Sequence, residues 1–445
     1  MDSNQWDEFC VEIASIFQKL KSNNSGDVAT YIPQLAKINP DLFGISVFSI
    51  DGQTFNIGDT SENFCIQSCS KTLTYAVALR DHGVDKIGEH IGREPSGARF
   101  NAFVFDDDNK PFNPLINSGA IMAASLIKGN HTEDERFEYI VDIWKSIVGK
   151  NNVGFDNPVY LSEKRSANRN HALAHIMMEN DIFPENTNIN TTLELYFQLC
   201  SITMNSQSLA KYAAMLANGG TTVDTNVKIF DPIIIRDLLC IMYTSGMYDY
   251  SGRWSFDIGL PSKSGVSGSI FAVIPNVGGI CVYSPKLDKL GNSVKGVEFF
   301  KMLTKKYKLH IFDTLISGLN HKKSITKQSD DNIDMIFSAC KNDDYVYLCN
   351  KLYSLDYDID KGDYDNRRPI HIASDDNSYK AVYALLQYGA NYRLMDRWQQ
   401  SLLTKIITKK DNKIASCFLL HFKVRILKYN TFEKFKTIVN TPGAL

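Results

Sequence analysis

The chain has 445 residues, of which 44% are hydrophobic and 22% charged, as is typical of a globular protein with about two or three domains. Its 48 basic and 50 acidic side chains leave a net charge of −2, which gives no electrostatic reason to expect nucleic acid or an anionic membrane as a partner. No stretch approaches the roughly 18 uninterrupted apolar residues that a membrane span requires.

The first predicted element in chain order is an amphipathic helix over about residues 5–21, within a short N-terminal segment of residues 1–25. Two alternating runs then flank Asp51-Gly52 and predict a β-hairpin. A helix is predicted from about Ser68 to His82, where the following glycine suits a left-handed cap.

Residues 115–220 are mainly helical by pattern, and the stretches "SIFAVI" and "GICVYS" after them predict a second strand pair around a glycine-rich turn. Strands at both ends of a segment with helices between them predict an α+β domain whose terminal strands share one sheet.

The pattern changes near residue 333 and resembles ankyrin repeats from there to residue 425. Arg368-Pro369-Ile370-His371 stands where the repeat has Thr-Pro-Leu-His, and Asp363 and Asp396 are separated by the 33 residues of one repeat. Degenerate units precede and follow this one. We therefore predict an all-α ankyrin-repeat domain over 333–425, after a linker at 316–332 and before a tail at 426–445.

The nine cysteines are scattered and include no Cys-x-x-Cys pair, so the sequence indicates neither a metal site nor a disulfide framework. We expect reduced, mostly buried thiols in an intracellular protein. The N-terminal stretch contains Asp2, Asp7 and Glu8 and no early arginine, which predicts neither a signal peptide nor a transit peptide.

A candidate catalytic pair lies in "QSCSKT", where Ser68 precedes Lys71 by three residues. Such a spacing is frequent by chance, and Ser68 could equally be a helix N-cap. A second motif favours catalysis, because residues 263–265 read "KSG" directly before a predicted strand. The two together are typical of the serine β-lactamase/penicillin-binding-protein-like fold.

The chemistry fits this spacing. Residues three apart share one face of a helix, so Lys71 could reach the Ser68 hydroxyl. A buried lysine loses its proton more readily, and the neutral amine can then accept a proton from the serine. The backbone N–H of Ser68 would face a developing oxyanion, with a second N–H from across the cleft.

Longer segments, among them "QSCSKTLTYAVAL", "GREPSGARFN", "NPLINSGAI", "SGMYDYSG" and "GLPSKSGVSG", make residues 26–312 similar to a known family. The chain resembles the serine-dependent, β-lactamase-like glutaminases, and most of all the animal kidney-type and liver-type enzymes with C-terminal ankyrin repeats. The resemblance implies a catalytic domain over 26–315 that hydrolyses L-glutamine to L-glutamate and ammonia through a γ-glutamyl ester.

The resemblance also implies the site residues. The nucleophile falls on Ser68, its partner lysine on Lys71 and the proton-relaying tyrosine on Tyr248, while Ser68 and Val266 would form the oxyanion hole. The implied ligands of the substrate amino acid are Tyr31, Gln67, Ser68, Asn117, Glu163, Asn170, Tyr196, Tyr248 and Val266. Each has an ordinary alternative: Asn117 could be a turn or cap, Glu163 a surface charge and Tyr196 a core residue.

No cofactor is implied beyond inorganic phosphate as an activator. The expected partners are L-glutamine, further copies in a homodimer or homotetramer, and a protein bound by the ankyrin repeats. We expect an intracellular protein. The resemblance implies a mitochondrial location, whereas a sequence without a predicted transit peptide favours the cytosol. Two rival functions remain: another serine hydrolase of this fold, acting on a β-lactam or peptide, and an inactive ankyrin scaffold.

The segment Arg99–Pro114 is the predicted self-association loop. Phe100, Phe103, Val104 and Phe105 form an apolar cluster that needs a covering surface. That surface could be the same domain, but the resemblance favours a junction between dimers.

Overall fold

The computed structural model describes residues 3–313, 322–323, 331–353, 358–363, 365–409 and 412–421. The chain divides into two compact units, Met1–Ile325 and Thr326–Leu445. The predicted tail at 426–445 and most of the predicted linker at 316–332 lie outside the described residues.

A five-stranded antiparallel sheet with the strand order β2-β1-β8-β7-β6 lies at the centre of the first unit. The hairpin predicted at Asp51-Gly52 is present, and Gly52 takes φ +84° in its turn. Strands from the two ends of the unit therefore share one sheet, as predicted. A second sheet has the order β3-β5-β4. The strands are β1 (Gly44–Ser49), β2 (Thr54–Gly58), β3 (Phe64–Cys65), β4 (Gly154–Phe155), β5 (Ile202–Met204), β6 (Ser262–Gly265), β7 (Ser269–Ile274) and β8 (Gly278–Tyr283).

Thirteen α-helices are described in the first unit. They are α1 (Ser3–Lys21), α2 (Pro33–Ala36), α3 (Ser70–His82), α4 (Val84–Gly88), α5 (Asn117–Ser125), α6 (Glu133–Val148), α7 (Asn157–Arg165), α8 (Asn168–Glu179), α9 (Ile189–Cys200), α10 (Ser206–Ala217), α11 (Pro232–Ser245), α12 (Ser251–Asp257) and α13 (Val294–Lys306). None of the helices in the described part of the chain is long and apolar enough to cross a membrane.

Each face of the main sheet packs against its own set of helices. Apolar side chains of α1 and α13 form one core with the sheet, although Val11 of α1 faces solvent. The helix α10 lies close on the other face, within the larger core. That approach requires a glycine, because a Cβ at Gly279 would lie 2.4 Å from the carbonyl oxygen of Ala210.

The second unit is helical in its described residues, and its core is formed by the apolar faces of paired helices. Two equivalent turns lie one predicted repeat apart. The Asp363 side chain accepts hydrogen bonds from the backbone N–H groups of Asp365 and Arg367. The Asp396 side chain accepts the equivalent bonds, from the backbone N–H groups of Trp398 and Gln400. The helices are α14 (Asp331–Lys341), α15 (Tyr345–Tyr353), α16 (Pro369–Asp375), α17 (Tyr379–Gln387), α18 (Leu402–Lys409) and α19 (Asn412–His421).

Candidate active site

Ser68 lies in a single turn of 3-10 helix, Gln67–Cys69, between β3 and α3. The α-helix α3 begins at Ser70, two residues after the predicted start at about Ser68, and Gln67 takes φ +48° and redirects the backbone before it. This left-handed conformation is unfavourable for a residue with a side chain, so the surrounding structure must hold it. Ser68 is consequently presented on a constrained turn and not as a helix cap.

The strand of the K-S-G motif, β6, packs directly against this turn. A Cβ at Gly265 would lie 3.0 Å from the carbonyl oxygen of Ile66 and 3.3 Å from Cys69 Sγ. Cys69 Sγ also lies 3.8 Å from the carbonyl oxygen of Lys263. The glycine of the motif thus allows the two segments singled out in the sequence to touch.

Lys71 is buried with 2% of its surface exposed. Its Nζ donates to Asn117 Oδ1 at 2.8 Å and to the carbonyl oxygen of Leu115 at 3.2 Å. The predicted hydrogen bond to the Ser68 hydroxyl is not among the contacts of the described residues. Burial lowers the pKa of Lys71 to about 8, so an appreciable fraction of the amine is uncharged near neutral pH.

Tyr248 begins a second single turn of 3-10 helix, Tyr248–Tyr250, with φ +53°. Its hydroxyl is buried, and no described residue forms a hydrogen bond of standard geometry with it. Burial raises the pKa of this phenol, and the Ser68 hydroxyl is near enough to oppose the rise. Leaving a buried hydroxyl unpaired costs about 1–3 kcal/mol, so this group is available to bond a reacting atom beside Ser68.

A carboxylate pocket forms around Glu163 on α7. Its Oε1 accepts hydrogen bonds from the Tyr31 hydroxyl at 2.7 Å and from Gln67 Nε2 at 3.1 Å. Tyr31 is 50% exposed as a whole, but burial raises the pKa of its hydroxyl, so the hydroxyl end points inwards. Burial also raises the pKa of Glu163. Glu163 Oε2 has no hydrogen-bond partner among the described residues and can receive a cationic group.

Amide side chains connect this pocket to Lys71. Asn117 uses its Oδ1 for Lys71, and its Nδ2 donates to Asn170 Oδ1 at 3.1 Å. One N–H of the Asn117 amide therefore remains for a ligand. Tyr196 lies buried on α9, where the charge of Glu163 adds to burial in raising the pKa of its hydroxyl.

Two backbone N–H groups lie where the Ser68 turn meets β6. Neither the Ser68 N–H nor the Val266 N–H makes a backbone hydrogen bond among the described residues. Unpaired backbone donors are rare in protein interiors, so a pair on adjoining segments indicates a place for a negatively charged oxygen.

The structure thus brings the sequence-predicted residues into two adjoining groups, one around Ser68 and one around Glu163. Lys263, for which no role is predicted from the sequence, is fully buried and lies over the Tyr248 ring. The K-S-G motif was the available signal for it. No group of three His, Cys, Asp or Glu side chains suited to a metal ion occurs in the parts of the chain that the structure covers.

Known proteins resemble this chain over the unit that contains these residues. The sequence profile of the Glutaminase family matches residues 26–312. A relative named putative glutaminase 3 from Caenorhabditis elegans is 42% identical over 402 residues, which are 89% of this chain and 69% of that protein. The glutaminase liver isoform, mitochondrial, of Mus musculus is 36% identical over 88% of this chain and 66% of its own length. A glutaminase of Nostoc sp. is 43% identical over 69% of this chain and 91% of its own length.

Two solved structures are similar as well. The probable glutaminase ybaS superposes with a TM-score of 0.65 at 31% identity, over 70% of this chain and 99% of that one. The protein Mglu in its glutamate form gives a TM-score of 0.64 at 33% identity, over 68% of this chain and 70% of that one. The fold is therefore a mixed α/β glutaminase fold. With the family profile covering well over half of its length, this chain belongs to the glutaminase family.

Proposed function

We propose that this chain hydrolyses the side-chain amide of L-glutamine to give L-glutamate and ammonia, with Ser68 as the nucleophile. The observation that best supports this is the placement of Ser68 beside the unpaired hydroxyl of Tyr248 and next to two unpaired N–H groups. Membership of the glutaminase family supports the choice of substrate.

The catalytic groups can transfer the proton without a metal or an organic cofactor. Uncharged Lys71 is the proton acceptor, and Tyr248 relays the proton from Ser68 Oγ. Ser68 Oγ attacks the amide carbon of glutamine, the relayed proton passes to the amide nitrogen, and the C–N bond breaks to release ammonia. Water then attacks the γ-glutamyl ester, loses its proton through the same relay, and frees glutamate and the Ser68 hydroxyl.

The N–H groups of Ser68 and Val266 stabilise the tetrahedral intermediates. Neither donor makes a backbone hydrogen bond in the part of the chain that the structure describes, so no such bond there has to break when the oxyanion forms. Removing one such donor from an enzyme typically costs about 10²–10³ in kcat.

Glutamine is held by its charged end. The free Oε2 of Glu163 receives the α-ammonium group, while the unused N–H of Asn117 and the hydroxyl group of Tyr196 serve the α-carboxylate. Tyr31 and Gln67 fix Glu163 by donating to its Oε1 at 2.7 and 3.1 Å, and Asn170 orients Asn117 at 3.1 Å. Three of the predicted ligands therefore orient the groups that bind the amino acid.

We further propose a β-lactamase-like arrangement of the first unit and ankyrin repeats in the second. The contact between the Ser68 turn and β6 supports the former. The recurrence of one turn at Asp363 and Asp396 supports the latter. We also propose a protein partner for these repeats.

We also propose that the chain self-associates through the loop Arg99–Pro114 and that inorganic phosphate activates it. Phe100 packs on the Tyr248 ring with 4.9 Å between ring centroids, and Phe105 packs against the larger core. These two apolar residues are thus covered by their own unit. Phe103 is 48% exposed and is flanked by the Arg169 guanidinium at 4.7 Å, which leaves it as the contact residue for a second copy.

Ammonia and glutamate release by the purified chain, with glutamine as substrate, tests the proposed function. Ser68→Ala should lose turnover, since no other hydroxyl can form the ester. Ser118→Ala is a matched control, because Ser118 is a buried serine on α5 whose hydroxyl has no hydrogen-bond partner among the described residues. Residual turnover in Ser68→Ala above a trace, or hydrolysis of a chromogenic β-lactam without hydrolysis of glutamine, would contradict the proposal.

A further inference from the structure

The second unit contains a polar cavity of about 420 Å³ that the proposed reaction does not use. Its walls come from α16 and α18 and from the turns that precede these two helices. The side chains that matter for its chemistry are Arg367, Asp375, Asp396, Trp398, Lys405 and Lys409.

Basic groups outnumber acidic groups in this cavity. Three cations and two carboxylates line it, which gives a net charge of +1 in a chain whose net charge is −2. All three cations converge on Asp375. Its Oδ2 accepts from Lys405 Nζ at 2.8 Å and from Arg367 Nη2 at 3.0 Å, and Lys409 Nζ lies 3.5 Å from Oδ1. Lys405 Nζ is also 3.5 Å from Asp396 Oδ2, so the excess positive charge rests on Arg367 and Lys409.

Asp375 cannot neutralise this excess. Burial raises the pKa of its carboxyl, but the hydrogen bond and charge of Lys405, together with the charges of Lys409 and Arg367, lower the pKa overall. Asp375 is therefore already ionised near neutral pH and contributes one negative charge. A second carboxylate, supplied by a ligand, would balance the cavity.

The guanidinium of Arg367 has donors for such a ligand. It carries five N–H groups, of which one has a side-chain acceptor, Asp375, in the part of the chain that the structure describes. Its side chain is 28% exposed, and that of Lys409 is 38% exposed. Both cations can therefore be reached from solvent.

Trp398 supplies an apolar wall beside these cations. It is 54% exposed, and its backbone N–H donates to the Asp396 side chain at 2.9 Å, which fixes the turn that carries it. Tryptophan and arginine are the residues that most often dominate the binding energy of protein interfaces. An exposed tryptophan next to an arginine with spare donors therefore suits an apolar residue that neighbours a carboxylate.

We propose that this cavity binds a peptide segment of a partner protein in which an Asp or Glu side chain neighbours an apolar residue. The carboxylate meets Arg367 and Lys409, and the apolar residue packs on Trp398. This inference rests on the protein partner proposed above for the second unit and is independent of the proposed hydrolysis of glutamine.

Charge complementarity decides between this occupant and two others. Residues 426–445 of the chain contain three lysines and one glutamate, so they carry the same sign of charge as the cavity. A nucleic acid would place successive phosphates near Asp375 and Asp396 as well as near the cations. A single carboxylate avoids both kinds of repulsion.

The test begins with a positional-scanning peptide array that is probed with the purified full chain. Asp and Glu should be selected at one position, and an apolar residue should be selected beside it. The selected peptide is then labelled with a fluorophore, and its Kd is measured by fluorescence anisotropy.

Three variants test the contacts. A hydrogen bond between charged groups is worth about tenfold or more in an equilibrium constant, so Arg367→Gln and Lys409→Gln should each raise the Kd about tenfold. Trp398→Ala should raise it by a similar factor of about ten. Exchange of the peptide's Asp or Glu for Asn or Gln should weaken binding to the wild type, and Arg367→Gln should then add little further loss.

Lys380→Gln is the matched control. Lys380 is an exposed lysine on α17 whose Nζ lies 5.7 Å from the centroid of the Tyr345 ring, outside the cavity lining. This variant should keep the wild-type Kd. All four variants should keep the wild-type turnover of glutamine, because the proposed catalytic residues lie in the first unit.

Three results would overturn the inference. They are an array without preference for Asp or Glu, a Kd that is unchanged in both Arg367→Gln and Lys409→Gln, and single-stranded DNA that binds more tightly than the selected peptide. Peptides bound without acidic preference would refute only the chemistry of the cavity, whereas an array that binds nothing would also refute the peptide partner. Glutamine turnover of the same wild-type sample tests the proposed hydrolase function separately.

Discussion

The carboxylate of Glu163 permits the sharpest test of substrate recognition. Glu163→Gln keeps the shape of the side chain and can still accept the hydrogen bond that Tyr31 donates at 2.7 Å. What it removes is the charge that meets the α-ammonium group. A hydrogen bond between charged groups contributes about 1.5–3 kcal/mol, so kcat/KM for glutamine should fall about ten- to 150-fold.

Glu163→Gln should not lower the stability of the folded state. Because burial raises the pKa of Glu163, the folded state disfavours the carboxylate, and the stability it contributes is present at low pH and lost as pH rises through its folded pKa. At pH 7 the uncharged amide side chain of the Glu163→Gln variant avoids the free-energy cost of burying a carboxylate. The melting temperature of Glu163→Gln should therefore equal or exceed that of the wild type.

The assay compares glutamine with 4-carbamoylbutanoate, which has the amide but lacks the α-amino group. For the wild type, kcat/KM should be higher for glutamine than for 4-carbamoylbutanoate by about the factor by which Glu163→Gln lowers kcat/KM for glutamine. The variant should have nearly equal kcat/KM for the two compounds. Glu194→Gln is the matched control, since Glu194 accepts a hydrogen bond from the Tyr160 hydroxyl outside the proposed ligand set. An unchanged kcat/KM in Glu163→Gln, or an equal loss in Glu194→Gln, would refute the role of Glu163.

Four further outcomes are expected. Lys71→Ala should lower kcat by about 10² or more, and kcat/KM of the wild type should rise with pH through about 8 as Lys71 loses its proton; a pH–rate profile that is flat there would contradict this. Above about pH 7 the amine of Lys263 binds fewer protons in the folded state than in the unfolded chain, so the free energy of unfolding should rise with pH from about 7 toward the ordinary lysine pKa of 10.5. Urea titrations should show a smaller rise in Lys263→Met. A chain ending at Ile325 should keep wild-type kcat/KM, since the proposed catalytic residues lie within the first unit; a folded but inactive product would contradict it. Phe103 and Val104 changed together to serine should lower the mass measured by light scattering and weaken phosphate activation; a wild type that is monomeric and fully active with and without phosphate would refute the self-association proposal.

Local signals in the sequence were sufficient for the elements that depend on local geometry. The Asp51-Gly52 hairpin is present because a glycine at φ +84° forms the turn without help from the rest of the chain. The end of α3 at His82 follows in the same way, since the glycine after it takes φ +81°. Both positions can be identified from a few neighbouring residues.

The start of α3 and the partners of Lys71 could not be predicted in this way. Gln67 adopts φ +48° in a turn that packs against Gly265, about 200 residues later in the chain, and no short window of sequence contains that contact. Helical spacing likewise placed Lys71 toward Ser68, but the approach of α5 supplies Asn117 as a closer partner at 2.8 Å. The family resemblance supplied the set of candidate site residues, and their roles stay predictions that the experiments above test.

The order of strands in the main sheet has a consequence for biosynthesis. The neighbour of β1 inside the sheet is β8, which leaves the ribosome only after all the intervening helices. Until then the hairpin of β1 and β2 presents an unpaired edge, which is a hazard for association between nascent chains. The segment that completes the Ser68 turn, β6, is also synthesised late. In refolding of the whole chain, the pairing of β1 with β8 still joins segments that are far apart in the sequence, so enzymatic activity should return in the slowest phase, after most of the helical signal has recovered.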